Sequence, residues 1–330
     1  MGFRNDKTYI GHLDQLFGLR EFRLSGGRGD GVRAVEVDSG AGLVATILPD
    51  RGMDFYQVRF MGKNTNYISP CGIVAPERSR GFLDSFFAGF LTTCGMNNIG
   101  SACVDEGEHL PMHGSLTLTP ASELNVHTEM TDAGPVAVVR GQMRQATLFG
   151  SCISLTRTIS IRYGESKISF ADVVYNDGNK AEPLMLLYHF NIGYPLLSEH
   201  AKLNIPSKNV KGYNSHAQEH VGSWRELTPP AYPYPERCYY HDIERLPDGR
   251  AEVGVINEAV GTGLTIRYNR DLLDNFVQWK MLGKGEYAMG LEPCNGTIGG
   301  RASARQDGSL KFISAGEHKV YEFEIEFNSV

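Results

Sequence analysis

The sequence of 330 residues has no run of about 18 apolar residues and no block of lysines or arginines, and its formal net charge is −6. The first absence argues against a membrane-spanning helix. The second argues against nucleic acid or an anionic membrane surface as a partner. The first residues carry charges where a signal peptide needs an apolar segment, so we expect a cytoplasmic protein.

Paired cysteines are also absent. The chain has 6 cysteines, none in a CxxC pair, so we expect free thiols in a reducing compartment and no structural zinc. A GxSxG nucleophile motif is missing, as is a dinucleotide or phosphate-loop signature, although residues 26–31 are rich in glycine. We therefore predict no metal and no cofactor, and we interpret residues 26–31 as a hairpin loop.

Turn-forming residues are abundant, since 38 glycines and 15 prolines are spread evenly along the chain. Turn-forming residues between short apolar runs are typical of many strands joined by turns. We count about 15 to 20 such runs. The spacing predicts an all-β protein, a large antiparallel β-sandwich with one or two short helices, and we expect a single domain over residues 1–330. The best helix candidate is residues 80–90, whose phenylalanines we assign to the core.

Several segments have the period of two that strands require. Residues 153–163 alternate in this way, and residues 168–174 continue the pattern after a turn. Residues 184–192 (LMLLYHFNI) are apolar almost throughout, which predicts a strand buried on both faces. Residues 320–327 alternate aromatic or aliphatic residues with glutamates, which suits a protected sheet edge.

Two residues in these strands could carry acid/base chemistry. Glu292 follows the apolar run 287–291, and a carboxylate at the end of a buried strand obtains a raised pKa that suits a general base. His189 lies among apolar neighbours, and a desolvated imidazole suits a general acid or base near pH 7. The alternatives are a turn cap or arginine partner for Glu292 and a hydrogen-bonded core histidine for His189.

His113 lies in a loop, and with Glu106, Glu108 and His109 it forms the pattern ExEHxxxH. A metal site is the less favoured interpretation, because ligands four residues apart share a face only on a helix and Pro111 interrupts it. Arg51 follows an apolar strand and could reach a cleft or pair with a nearby aspartate.

The chain contains five notable segments in this order: RGMD (51–54), FxxGFLTTCG (86–95), HG (113–114), YHFNIGYP (188–195) and WKMLGKGEYAMGLEPCN (279–295). Together they resemble the aldose 1-epimerase (galactose mutarotase) superfamily, in particular its bacterial branch of aldose 1-epimerase-like proteins. The resemblance covers the chain from about residue 42 and implies a β-sandwich with a carbohydrate cleft. It implies that Glu292 is the general base, His189 the general acid and His113 a sugar-binding residue. It also suggests Arg51 as a substrate ligand and Lys280 as a possible contact.

Ring opening of a cyclic sugar needs one base at the anomeric hydroxyl and one acid at the ring oxygen, which we expect on opposite sides of the ring. A hydroxyl-rich substrate also needs hydrogen-bonding side chains and an aromatic platform, for which Asn191, Trp279, Asn295 and Arg51 are candidates. The leading hypothesis is a mutarotase or epimerase of a free sugar. The alternatives are an epimerase of a phosphorylated sugar that uses Arg51, Lys280 and Arg301, and a non-catalytic sugar-binding protein.

Overall fold

Short strands make up most of the regular structure in the computed structural model, which describes residues 3–330. Four α-helices of 4 to 6 residues are present: α1 Phe3–Asp6, α2 Phe82–Ser85, α3 Ser215–Glu219 and α4 Arg301–Gln306. The strands are, in chain order, β1 Gly18–Arg23, β2 Arg33–Asp38, β3 Leu43–Leu48, β4 Asp54–Phe60, β5 Lys63–Asn64, β6 Leu91–Met96, β7 Cys103–Asp105, β8 Glu108–Leu110, β9 Ser122–Thr131, β10 Gly134–Ala146, β11 Cys152–Arg162, β12 Lys167–Asn176, β13 Glu182–Pro183, β14 Met185–Gly193, β15 Lys202–Asn204, β16 Ser207–Gly212, β17 Arg237–Ile243, β18 Arg250–Asn257, β19 Thr262–Asn269, β20 Asn275–Gly283, β21 Glu286–Cys294, β22 Phe312–Ile313 and β23 His318–Asn328.

The strands form two large antiparallel sheets. The larger has 11 strands in the order β1-β2-β3-β4-β6-β14-β21-β20-β17-β16, with β5 beside β4. The smaller has 8 strands in the order β15-β18-β19-β23-β12-β11-β10-β9. One buried hydrophobic cluster contains side chains of both sheets, among them Phe55, Tyr188, Phe170 and Phe323. The predicted antiparallel β-sandwich is confirmed.

Strand β14 is buried on both faces, as its apolar sequence predicts. All nine residues are buried. Leu186, Tyr188 and Phe190 point into the cluster between the sheets. Because side chains alternate along a strand, His189 must point to the opposite face of the larger sheet. The same alternation on β21 directs Leu291 into the core and Glu292 outward, toward the face that bears the site.

Some local predictions are wrong. Only residues 82–85 of the predicted helix at 80–90 are helical, because Phe86 is extended and Ala88 has a φ of 58°. The described chain has four short α-helices rather than one or two. Strand β23 is not an edge strand, since it pairs with β12 and β19. Its glutamates lie on the outer face of the sheet. There, Arg267 of the neighbouring strand β19 is 2.9 Å from Glu326.

Over residues 3–330, the structure contains no helix that is both long enough and apolar enough to cross a membrane.

Candidate active site

A cavity of about 560 Å³ opens on the outer face of the larger sheet, the face away from the smaller sheet. Its floor comes from the strands β14, β17, β20 and β21, and its walls come from loops. The residues that line it are Tyr67, Ser69, Pro70, Cys71, Phe82, Leu83, Phe86, Gly100, Ser101, Met112, His113, His189, Tyr213, Glu236, Cys238, Trp279, Met281, Glu286, Glu292 and Ile298.

Sheet register brings Glu292 and His189 together at the floor of this cavity. The pairing of Leu187 with Cys294 and of Phe190 with Leu291 places His189 opposite Glu292 on neighbouring strands. His189 Nε2 lies 3.2 Å from Glu292 Oε1. The two side chains therefore face the cavity from one side, rather than from opposite sides of a ring as expected.

Both groups are held in an environment that disfavours their charged forms. Glu292 is 2% exposed and His189 is 5% exposed. Burial raises the pKa of Glu292 well above 4.5, and the Glu236 carboxylate raises it further. Burial lowers the pKa of His189 well below 6.5, and nearby His113 lowers it further. The expected raised carboxyl pKa and desolvated imidazole therefore both have a physical basis here.

Each member of the pair also has a buried polar atom with free hydrogen-bonding capacity. Among the residues that the structure describes, Glu292 Oε1 and His189 Nδ1 have no hydrogen-bond partner. The approach of the ring nitrogen to Oε1 is thus a close contact without hydrogen-bond alignment. Since buried polar groups in native proteins are normally paired, such atoms at one place are typical of a site that binds a polar ligand.

Gly290 makes room for the carboxylate. It lies two residues before Glu292 on the same face of β21, opposite Trp279 of β20. A Cβ at this position would lie 2.2 Å from Glu292 Oε1 and 2.8 Å from Trp279 Cβ. Real side chains do not approach so closely, so glycine is required by space and not by its backbone torsions.

His113 reaches the cavity from the loop after β8. Its Nδ1 accepts a hydrogen bond from the Gly100 N–H at 3.3 Å, so the proton of the neutral ring is on Nε2. Burial lowers the pKa of His113 to about 4. The ring is therefore neutral near pH 7, and its centroid lies 6.0 Å from that of His189.

Aromatic rings form the cavity wall beside His113 and His189. Phe82 stacks on Phe86 with a centroid distance of 4.7 Å. Trp279 lies with its centroid 5.5 Å from His189. Of the phenylalanines in residues 80–90, Phe87 and Phe90 are core residues as predicted, whereas Phe82 and Phe86 line the cavity. The predicted continuous helix could not separate core from cavity phenylalanines, because the helix in the structure ends at Ser85.

The remaining charged side chains around the cavity are acidic. Glu236 accepts a hydrogen bond from Trp279 Nε1 at 2.7 Å. Glu286 lies at the mouth, and both are exposed. No lysine or arginine of residues 3–330 lines this cavity. The sequence interpretation missed Glu236, which lies between the irregular segment 213–235 and strand β17, where strand periodicity gives no signal.

The expectation that Arg51 reaches the cleft is wrong. The side chain is 1% exposed, and its guanidinium donates hydrogen bonds to the carbonyl oxygens of Thr117, Val74 and Ser85. It ties three loops together and does not line the cavity.

The expectation that Lys280, Asn191 and Asn295 contact a ligand in the cavity is also wrong. Lys280 lies on the face of β20 opposite to Trp279 and donates to the Ser223 carbonyl at 2.7 Å. The Asn191 amide donates to the Ala88 and His189 carbonyls. Asn295 bonds the backbone of Leu184 and Leu186. All three are buried and outside the lining, whereas Trp279 lines the cavity.

The acidic residues before His113 bind arginines. Arg301 Nε is 2.6 Å from Asp105 Oδ2, and the Arg301 guanidinium also bonds Glu108 at 2.5 Å. Arg305 pairs with Asp105 and with Glu106. Within the described part of the chain, no three histidine, cysteine or acidic side chains are grouped so as to hold a metal ion.

Comparison with known proteins gives a family for the sequence and related structures for the fold. The family described as a domain of unknown function, DUF4432, matches residues 29–327, and the chain belongs to this family. The comparison with curated proteins gives no match.

Solved structures similar to this chain include proteins named as aldose 1-epimerases or as galactose mutarotase-like. A provisionally named aldose 1-epimerase from Klebsiella pneumoniae has a TM-score of 0.89 at 22% identity, over 96% of this chain and 86% of that one. A galactose mutarotase-like protein from Clostridium acetobutylicum has a TM-score of 0.65 at 13% identity, over 96% and 100% of the two chains. A galactose 1-epimerase from Lactobacillus acidophilus has a TM-score of 0.61 at 11% identity, over 95% and 99%. At these identities the likeness establishes the galactose mutarotase-like fold.

Proposed function

We propose that the protein is a sugar mutarotase that interconverts the anomers of an uncharged sugar by acid/base opening and closing of the ring. The observation that carries this proposal is the pair formed by Glu292 and His189. Its atoms Oε1 and Nε2 are 3.2 Å apart at the floor of a cavity with an aromatic wall. The galactose mutarotase-like fold supports the same reaction class.

The spacing of the pair suits the two oxygens that must exchange protons. The anomeric hydroxyl oxygen and the ring oxygen are both bonded to C1 of the sugar, so both can meet groups on one side of the ring. Glu292 removes the proton of the anomeric hydroxyl while His189 protonates the ring oxygen, and the C1–ring oxygen bond breaks. Rotation about the C1–C2 bond and the reverse proton transfers close the ring as the other anomer.

Burial favours the forward proton transfers. The reactive state has an ionised Glu292 and a protonated His189, which burial disfavours through its opposite effects on the two pKa values. After the transfers both groups are neutral. Since a neutral pair is better tolerated in a desolvated site, the environment lowers the free energy of the open-chain state with its two neutral side chains.

The other residues of the cavity hold the sugar. His113, whose Nε2 carries the ring proton, can donate a hydrogen bond to a sugar hydroxyl. Phe82, Phe86 and Trp279 offer apolar ring faces to the C–H surface of the sugar. This combination of aromatic faces and a few polar groups is the chemistry that a carbohydrate site requires.

The charge of the cavity favours a free sugar over a phosphorylated one. Glu236 and Glu286 line the cavity with Glu292, and no described lysine or arginine does so. The three cationic groups assigned to a phosphate are engaged elsewhere: Arg51 and Lys280 bind carbonyl oxygens, and Arg301 binds acidic side chains. A phosphate in this cavity would meet carboxylates without a compensating cation.

Anomer exchange measured by NMR on free aldoses, ketoses, deoxy sugars and sugar phosphates tests this function. We expect acceleration for uncharged sugars and a loss of about 10²- to 10⁴-fold in Glu292→Gln and in His189→Asn. Glu258→Gln is the matched control, since Glu258 is an exposed residue paired with Lys202. Full exchange in a folded Glu292→Gln protein contradicts the proposal. Sugar binding without any exchange points to a binding protein.

A further inference from the structure

A second cavity of about 440 Å³ lies next to the candidate active site. It is lined by side-chain amides and tyrosines, with residues from the segments 57–68, 194 and 285–287. The lining residues are Gln57, Asn64, Asn66, Tyr67, Ile68, Tyr194, Gly285 and Tyr287. Like the first cavity, it has no lysine or arginine from the described residues in its lining.

The two cavities share a wall. Tyr67 lines both of them, and the segment 66–71 runs from the second cavity into the first. On the other side, the turn between β20 and β21 contributes Gly285 to the second cavity and Glu286 to the first. A ligand that extends past Tyr67 can therefore occupy both.

Strand β14 fixes the distance between the two cavities. The backbone of Asn66 is bridged to Ile192, three residues after His189, and the Tyr67 N–H donates to the Asn191 carbonyl at 3.0 Å. At the rise of a strand, three residues span roughly 10 Å. Two linked sugar rings cover such a distance, with the reducing-end ring at His189.

In the second cavity, side-chain hydrogen bonds hold the backbone in place, while other polar and aromatic groups are available to contact a ligand. The Asn66 amide is used internally, since it donates to the Tyr56 and Tyr67 carbonyls and accepts from the Val58 N–H. Gln57 donates through Nε2 to Asn64 at 3.2 Å, and its Oε1 has no partner in residues 3–330. The Tyr194 side chain is 72% exposed. Such groups recognise hydroxyls and apolar sugar faces.

We propose that this second cavity is a subsite for a second, uncharged sugar ring, so that the preferred substrate is a reducing disaccharide. The inference rests on the proposed function, because the anomeric carbon of the first ring must lie at Glu292 and His189. In the bound complex, Tyr194 stacks on the second ring, Gln57 Oε1 accepts a hydrogen bond from one of its hydroxyls, and Tyr67 lies at the junction of the two rings.

The test compares anomer exchange of reducing disaccharides, such as maltose, cellobiose and lactose, with that of glucose, the reducing-end sugar of all three. We expect a higher kcat/KM for at least one disaccharide than for its own reducing-end sugar. Tyr194→Ala and Gln57→Ala should each lower that ratio roughly three- to tenfold, the energy range of one aromatic or hydrogen-bond contact. Tyr9→Ala is the control, because Tyr9 is 85% exposed and lines neither cavity.

Saturation-transfer NMR on the same sugars gives a readout independent of catalysis. The subsite predicts transfer to protons of the non-reducing ring that weakens in Tyr194→Ala but not in Tyr9→Ala. Exchange of monosaccharides with no disaccharide preference overturns the subsite and leaves the proposed function standing. If the protein accelerates exchange of no sugar while saturation transfer to the second ring is still observed, the proposed function is overturned and the subsite is not. Absence of transfer to the second ring overturns the subsite in either case.

Discussion

Glu292 and His189 are neighbours whose pKa values burial moves in opposite directions. A carboxyl group with a raised pKa keeps its proton to higher pH, and an imidazole with a lowered pKa gives up its proton at lower pH. Between the two pKa values the pair therefore retains one proton in total. Because that proton can reside on either group, the pair should be treated as one titrating unit.

This titration predicts a bell-shaped pH profile for anomer exchange. The first proton leaves the fully protonated pair below the ordinary histidine value of 6.5, and the second leaves above the ordinary glutamate value of 4.5. Since only the singly protonated pair is competent, kcat/KM measured against pH should fall at both acid and alkaline pH. A profile without either fall would contradict an acid/base pair that needs one proton.

Gly290→Ala tests whether space beside the carboxylate is needed. The added Cβ would lie 2.2 Å from Glu292 Oε1, so the carboxylate must move. We expect a loss of about 10²-fold in kcat/KM, the effect of a displacement near 1 Å in a catalytic group. Gly222→Ala is the control, because nothing lies within 4 Å of its Cβ position. Exchange at the rate of the unmodified protein, with unchanged melting temperature, would show that the carboxylate position does not matter.

The sequence indicated four of the residues that meet in the cavity and assigned others to it wrongly. Trp279 and Lys280 are adjacent in a strand, so they must point to opposite faces, and alternation alone could have excluded one of them. Arg51 could not be excluded in this way. Its position depends on the carbonyl groups of three loops that are distant in sequence.

At the level of elements, the hairpin β7–β8 carries the loop that ends in His113. Helix α4 holds this hairpin through Arg301 and Arg305, which both bind Asp105. Asn98 adds hydrogen bonds to the Ser101 and Pro111 carbonyls and accepts one from the Arg301 N–H. The position of His113 thus depends on the contacts of Asp105, eight residues earlier in the chain.

Asp105→Asn should loosen this support. The variant removes the charge that faces two arginines, and we expect a loss of about 2 kcal/mol in the free energy of unfolding. A rise in KM larger than the fall in kcat is expected, because His113 binds the sugar in the proposed mechanism. Denaturation and steady-state exchange measure the two effects. Asp248→Asn, at an exposed pair with Arg250, should change neither, and an unchanged KM in Asp105→Asn would contradict the role of the hairpin.

Strands with a clear apolar pattern could be predicted, whereas their position within a sheet, which depends on their partners, could not. The strand at residues 184–192 was predicted from its apolar residues alone and agrees with β14 within a residue. For β23, the row of glutamates suggested an edge. The structure instead pairs it on both sides, and basic residues such as Arg267 of β19 compensate the charge.

At the scale of the whole molecule, a buried ionic network joins the two sheets behind the site. Arg157 of the smaller sheet is fully buried and bonds Asp172 at 2.6 Å and Asp54 of the larger sheet at 3.3 Å. Tyr188 of β14 donates to Asp172 at 2.9 Å, and Thr93 of β6 donates to Asp54. The network therefore reaches the strands that carry the site.

Arg157→Met should destabilise the protein strongly. Removal of the guanidinium leaves two buried carboxylates without a cation, which costs about 3 to 5 kcal/mol. Denaturant unfolding measures this loss. Arg245→Met is the control, because Arg245 forms an exposed pair with Asp271, and its unfolding midpoint should stay unchanged. Equal midpoints for the two variants would contradict the structural role of the network.

The sequence predicts the sandwich architecture but not the order in which the strands pair. Turn spacing and period-two runs predict an antiparallel sandwich, because they report only which residues face a core. The strand order depends on pairings between distant segments, such as β12 with β23, that local patterns do not encode. The cavity wall built from residues 67–71, 82–86 and 236 was missed for the same reason.

A double-mutant comparison of anomer exchange shows whether Glu292 and His189 act as one acid/base unit. Exchange rates are measured on the best uncharged sugar for the unmodified protein, Glu292→Gln, His189→Asn and the combined variant. If the pair acts as a unit, either single change removes nearly the whole acceleration and the combined variant is little worse. Losses that add on a logarithmic scale, or a single variant with full activity, would show that the two residues do not act as a unit.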